Sequence, residues 1–215
     1  MNRIVRYIVF VFVVLLARPI FAQTPKEIVR LRRQRLSRVY MQHVGVGLDG
    51  RAYNNLHVGP KLFYGIGSHR NLFNVDVGCK DTFTNPISMH RNAFVAGQYV
   101  GTFVSGHINV VRWRTGCVYL GAEMAYHFDV RASYKEASGQ VLADNNIGKS
   151  HATASGGAGV RLNRWEVGLY LNYNMAPMVN QKYVFESPKF DYDQVYAQTH
   201  ERYSVGISLS YLISY

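Results

Sequence analysis

Apolar and polar residues alternate along most of the chain beyond residue 39, and most cleanly at its end. Tyr203, Val205, Ile207, Leu209, Tyr211, Ile213 and Tyr215 form one set. The interleaved set is Arg202, Ser204, Gly206, Ser208, Ser210, Leu212 and Ser214, nearly all small and neutral. A period of two predicts a β-strand with one apolar face. A face of small residues suits a narrow interior, with the apolar face turned to lipid.

Seven more segments carry the same period. Near 39–48, Tyr40, Val44, Val46 and Leu48 oppose His43, Gly45 and Gly47. Near 55–66, Leu56, Val58, Leu62, Tyr64 and Ile66 oppose His57, Gly59, Lys61, Phe63 and Gly65. Pro60 lacks a ladder donor and predicts a bulge or local break there. A third strand starts near Leu72 and sets Phe73, Val75, Val77 and Cys79 against Asn74, Asp76, Gly78 and Lys80. A fourth, near 93–110, is the least regular; Val100, Val104, Ile108 and Val110 share one side. Near 116–130, Val118, Leu120, Ala122, Met124, Tyr126 and Phe128 oppose Gly121, Glu123, Ala125 and His127. Strands near 151–162 and 165–175 follow, with His151, Thr153, Ser155 and Arg161 on the polar side of one and Glu166, Gly168, Tyr170 and Asn172 on that of the other.

The connections alternate in length. They are short at 67–71, 111–115 and 163–164, and longer at 49–54, 81–92, 131–150 and 176–200. Eight strands joined in this way predict an all-β, eight-stranded antiparallel up-and-down transmembrane barrel spanning 39–215. Trp113 and Trp165 both fall at short turns, the same membrane edge, where an aromatic girdle belongs; Tyr215 joins them as a membrane-edge aromatic.

The first 22 residues read as a signal peptide. Arg3 and Arg6 precede the apolar run Ile8–Leu16, and Ile20-Phe21-Ala22 leads to a cut before Gln23. The apolar run is too short to span a bilayer, which takes about 20 residues. Residues 23–38 form a basic segment with one helical signal. Thr24-Pro25-Lys26-Glu27 has capping-box spacing, and Lys26, Arg30, Arg32, Arg33, Arg35 and Arg38 surround Ile28 and Leu31. It is either a short periplasmic helix on a phospholipid surface or a solvated leader.

Without the three signal arginines, 21 Lys+Arg face 13 Asp+Glu, a balance of +8. For an exported chain this favours the lipid bilayer and lipopolysaccharide as partners over nucleic acid. Cys79 and Cys117 fall on strands that are not neighbours, which argues against a disulfide. No spacing of ligating residues calls for a cofactor or metal.

The signal peptide, the strand plan and the closing segment Tyr203–Tyr215 together resemble the small OmpX-like and PorT-like outer-membrane barrels. The resemblance covers nearly all of the mature chain but carries no catalytic motif, and the chain ends on Tyr where the family favours Phe. It implies location in the outer membrane and recognition of the C-terminal strand by the assembly machinery, and it leaves open a protein partner.

The inward set gathers Lys61, Asp76, Lys80, Glu123, Arg161, Glu166 and Arg202 with His57, His107, His127 and His151. A lumen without bulk water demands that such charges pair; the same residues could instead line a proton or ion path. Tyr183, Phe185, Phe190, Tyr192 and Tyr196 make 176–200 the richest candidate for recognition of an external partner, or they pack that loop on the rim. The main reading is a non-enzymatic barrel acting through its loops or as an accessory subunit of a membrane complex. Three others stay open: a narrow transport pore, a lipid acyl hydrolase built on His151, Ser155 and Glu166, and a soluble lipocalin-like carrier.

Overall fold

The computed structural model describes residues 42–87, 93–143, 147–180, 196–198 and 200–214. The signal peptide, the basic segment with its helical signal, and Tyr215 lie outside the described residues. Nine strands are present among those described: β1 (Gln42–Ala52), β2 (Leu56–Ile66), β3 (Phe73–Thr84), β4 (Ala93–Trp113), β5 (Gly116–Glu136), β6 (Val141–Ala143), β7 (His151–Leu162), β8 (Trp165–Asn174) and β9 (Tyr203–Ser214). Eight of them close a ring, in the order β1-β2-β3-β4-β5-β7-β8-β9 and back to β1. Every neighbouring pair is antiparallel, and β9 completes the circuit from His43 opposite Ser214 to Ala52 opposite Val205. The short β6 stands outside the ring, paired with the far end of β5. The chain is therefore an eight-stranded up-and-down barrel with no free edge in its ring, the condition for crossing a bilayer with strands.

Alternation decides what faces outward. Leu48, Leu62, Val104, Leu120, Met124, Leu171 and Ile207 are each about half exposed on the outer wall. His43, His57, Asp76, His107, His127 and Glu166, one residue out of phase with those walls, are almost fully buried. Large aliphatic side chains cover the outside while polar ones fill the inside. A water-soluble carrier requires the reverse, so the lipocalin-like alternative is overturned.

Pro60 does not shift the register. The β2–β3 ladder lapses at Gly59 and Pro60 and resumes unchanged, with Val58 opposite Phe83 and Lys61 opposite Lys80. Real bulges lie elsewhere, at Val110 on β4 and Val130 on β5, where the β4–β5 pairing slips by one residue. Beyond Val130 the inward parity reverses, so Ala132 and Tyr134 are buried where Ala125 and His127 had been. This corrects the reading of 131–150 as one long loop. The alternation breaks at the bulge, yet the strand runs on to Glu136 and β6 follows.

The extended part of β4 and β5 carries its own small core. Ala93, Val95, Tyr99, Ala132, Tyr134, Ile147, Met178 and Val179 pack together at the loop end of the barrel. The upper edge of β4 is closed by side-chain amides. Gln198 accepts from the Val95 N–H at 2.8 Å and donates to the Ala93 carbonyl at 3.2 Å, and Asn85 donates to the Val95 carbonyl at 2.8 Å. These bonds occupy groups that an adjoining strand would otherwise take.

Candidate functional site: the charged lumen

The β7–β8 hairpin turns at Asn163-Arg164, with Asn163 in the left-handed region (φ 53°) that asparagine tolerates. That turn sets Arg161 directly opposite Glu166. The guanidinium donates from Nε (2.8 Å) and Nη2 (2.6 Å) to one carboxylate oxygen. The Tyr119 hydroxyl donates to the other oxygen at 3.1 Å, and Tyr170 lies 3.2 Å from Tyr119. The Asp76 carboxylate sits between His43, at 2.8 Å, and His107, at 3.6 Å. The His107 ring lies against Tyr119, with centroids 4.5 Å apart. These groups form the lumen layer nearest the short turns.

Above it, Phe63, Phe103, Ala125 and Leu212 cross the lumen as an apolar layer. Phe63 is in register with Gly45 on β1 and with Gly78 on β3, and its ring occupies the space that a side chain at Gly45 would need. Lys61 and Lys80 rest over the Phe63 and Phe103 rings, at 5.6 and 5.3 Å from the centroids. Their ammonium groups are committed to carboxylates. Lys61 pairs with Asp49 at 3.0 Å and donates to Ser208 at 2.5 Å, while Lys80 pairs with Glu123.

At the loop end, the Glu201 carboxylate accepts from His57 (3.2 Å), Asn55 (2.6 Å) and the Asn54 N–H (3.3 Å). His127 and His151 stack with centroids 5.0 Å apart, and the Tyr99 ring meets His151 edge-on. The Tyr99 hydroxyl donates to the Met178 carbonyl, tying the stack to the small core above. Burial alone would push the Glu201 carboxyl up; the His57 and Asn55 hydrogen bonds, with the charges of His57 and Arg51, hold it below the usual glutamate range instead.

Lys61, Asp76, Lys80, Glu123, Arg161 and Glu166 thus all lie in the lumen and are engaged there. Arg202 does not join them. It precedes β9, where the alternation has not begun, and its exposed guanidinium donates to the Met175 carbonyl at 3.0 Å. Glu201 turns inward in its place. Sequence reasoning misses Asp49, Arg51, His43, Glu201 and Tyr119. Asp49 and Arg51 fall where a turn is expected, although both continue the inward parity of His43, Gly45 and Gly47. Cys117 is buried against the Asn109 amide oxygen and Cys79 is exposed on the outer wall, both as free thiols.

The hydrolase constellation is not assembled. Ser155 donates to Asn172 at 2.7 Å, His151 Nδ1 donates to the Lys149 carbonyl at 3.1 Å, and Glu166 is held by Arg161 and Tyr119. Among the described residues no group of three or more His, Cys, Asp or Glu could hold a metal ion. Trp165 is exposed and meets Tyr211 edge-on at 5.0 Å, and Trp113 is half-buried at the β4–β5 turn. Of the proposed recognition aromatics, Tyr183, Phe185, Phe190 and Tyr192 lie outside the described residues. Tyr196 is exposed and stacks on His200 with centroids 3.8 Å apart.

No family model and no curated protein matches the sequence. Among solved structures the chain is similar to Ail, the attachment invasion locus protein of Yersinia pestis. The identity is 12% and the TM-score 0.41, over 81% of this chain and 99% of that one. The closed ring, the apolar outer wall and the charged interior described above make the chain an integral β-barrel of the outer-membrane type.

Proposed function

We propose that this protein is a non-enzymatic outer-membrane barrel that works by presenting its loop end to an external partner, as an accessory component at the cell surface. The observation that carries this reading is the β4–β5 extension. It rises past the ring on a packed core of its own, sealed by Gln198 and Asn85, and gives the surrounding loops a rigid base. Loops held by a rigid scaffold are where binding residues concentrate.

Around this reading stand the expectations from sequence: membership in the OmpX-like or PorT-like group, export with cleavage after Ala22, insertion through the C-terminal strand, contact with lipopolysaccharide, and no nucleic acid. Replacing residues 137–140 and 181–195 with short Gly-Ser links tests the surface role. Cells bearing the wild-type barrel are expected to retain a binding activity toward other cell surfaces, or toward proteins of their own outer membrane, that the trimmed barrel loses. Equal binding by both removes the reading.

A narrow pore is the second reading, and one observation weighs against it: Phe63, Phe103, Ala125 and Leu212 pack together inside a lumen whose charged groups are paired with one another. Planar-bilayer recordings of the purified barrel are expected to show no steady conductance; discrete openings would restore the pore.

A further inference from the structure

The three short turns are tied into one plate. The Asn163 N–H donates to the Thr115 carbonyl at 2.6 Å, and the Arg112 guanidinium donates to the Arg70 carbonyl at 2.9 Å. His69 Nε2 donates to the Arg114 carbonyl at 3.0 Å, and the Asn109 amide donates to the Ser68 and Asn71 carbonyls at 2.9 and 2.7 Å. β9 holds the plate as well, through the Leu212 N–H on the Arg164 carbonyl at 2.7 Å. Its charge is of one sign. Arg70, Arg112, Arg114 and Arg164 lie within 67–71, 111–115 and 163–164, and no Asp or Glu does. Arg70, Arg114 and Arg164 are exposed. The carboxylates at this end, Asp76 and Glu166, are buried in the lumen beside His43 and Arg161.

Strand register sorts the wall beside the plate into levels. Val111, Val118, Val160, Val167 and Leu209 are aligned across β4, β5, β7, β8 and β9, and all are aliphatic. Two residues nearer the turns, Trp113, Gly116, Leu162, Trp165 and Tyr211 are aligned on the same strands. The Trp113 ring covers Gly116, where a side chain would begin 2.8 Å from it, and Trp165 meets Tyr211 edge-on. Arg114 and Arg164 adjoin Trp113 and Trp165 on the turn side. Aliphatic, aromatic and guanidinium levels thus follow one another in the order of hydrocarbon, interface and phosphate in a leaflet. A guanidinium fork matches phosphate oxygens. A soluble acidic partner would need the cations but not the aromatic level beside them, so the order favours a lipid.

We propose that the short-turn end of the barrel binds the phosphate headgroups of anionic phospholipids in the leaflet it meets, with Arg114 and Arg164 as the principal ligands and Arg70 beside them. Arg114 and Arg164 flank the Thr115–Asn163 hydrogen bond on adjoining turns, so they serve one stretch of leaflet. Zwitterionic lipids also offer a phosphate, but each brings its own counter-charge, so an all-basic plate prefers lipids of net negative charge. This surface is at the opposite end from the long loops, and it rests only on the barrel crossing a membrane.

The test reads the two tryptophans of the chain, Trp113 and Trp165, both of which stand at this end. The full mature chain is folded into phosphatidylcholine vesicles containing, in separate arms, phosphatidylglycerol or phosphatidylcholine brominated at the same acyl carbons. Bromine quenches tryptophan at short range, so the quenching ratio measures which lipid sits beside the rings. At equal content and low salt, phosphatidylglycerol is expected to be enriched about fivefold, the scale of one arginine at an anionic surface. Raising the salt is expected to shrink that ratio. Arg114→Gln with Arg164→Gln is expected to bring it close to unity, while Arg131→Gln, on the β5 extension at the loop end, is expected to leave it unchanged. The basic run 26–38 is kept in every variant. Equal quenching by the two lipids in the wild type overturns the proposal, as does a ratio that ignores salt or survives in the double variant. Two competitors are added at constant ionic strength. Loss of the ratio in inorganic phosphate would make this a free-phosphate site, and a tryptophan response to polyglutamate with no lipid preference would make it a protein site; either overturns the proposal. Should the double variant fail to fold, the wild-type ratio and its salt dependence still decide.

Discussion

Arg161 and Glu166 stand directly opposite each other across the β7–β8 hairpin, both nearly sealed from solvent, with two guanidinium nitrogens on one carboxylate oxygen. Removing one member leaves a buried charge without its partner. Glu166→Gln is therefore expected to destabilise the barrel by about 3–5 kcal/mol. Replacing both, as Arg161→Met with Glu166→Leu, is expected to cost far less than the two single changes added together. Urea unfolding in micelles, followed by tryptophan fluorescence, checks both.

Phe63 fills the space over Gly45. Gly45→Ala is expected to force the ring aside and cost about 1–3 kcal/mol, the usual range for overpacking. Phe63→Ala leaves a cavity in the lumen and is expected to cost about 3–5 kcal/mol. In the double variant the new methyl enters the vacated space, so the combined loss is expected to be smaller than the sum. Strict additivity would mean that the two positions do not share the layer.

Met124 lies on the outer wall, paired with Val104 and Ala154. Met124→Arg places a charge against acyl chains and is expected to cost about 2–4 kcal/mol in lipid vesicles if the site lies near the midplane. Arg131→Glu, on the extension beyond the bulge, is expected to be near neutral. Folding titrations in vesicles separate the two, and equal costs would contradict the placement of the apolar belt.

Glu201 supplies an acid-sensitive anchor at the loop end. Its carboxyl is held below the usual glutamate range by His57, Asn55 and nearby positive charge, against the opposing pull of burial. A depressed carboxylate adds stability that is fully present above its unfolded value of about 4.3 and is lost as pH falls through the lower folded value. Acidification below about pH 4 is thus expected to loosen Ala197, Gln198 and Glu201 from Asn54 and Asn55 before the ring opens. Protection of the loop-end amides, measured against their intrinsic exchange rate at each pH, should fall in acid in the wild type, while Glu201→Gln should start loose and show less acid dependence.

The outer wall is legible in the chain alone, because a strand that faces lipid on one side and a filled lumen on the other must alternate at every residue. Parity alone assigns Val104, Met124, Leu171 and Ile207 to the lipid face, and Asp76, Glu123 and Glu166 to the lumen. Parity is a local property, and eight such segments with alternating short and long connections specify the ring. The Arg161–Glu166 pair is nearly legible too, since a two-residue turn fixes its register.

Other features depend on how far each strand slides along its neighbour, and no local period encodes that. The Asp76 contacts to His43 and His107, and the Lys80–Glu123 pair, run diagonally or across an intervening strand, so they depend on the combined registers of the β1–β2, β2–β3, β3–β4 and β4–β5 ladders. The bulge at Val130 reverses the inward parity, which is why a packed extension reads as a polar loop. Gln198 and Glu201 find Val95 and Asn55 from over a hundred residues away along the chain. Periodicity told each residue whether to face lipid or lumen, whereas ring closure and strand shear chose its neighbours there.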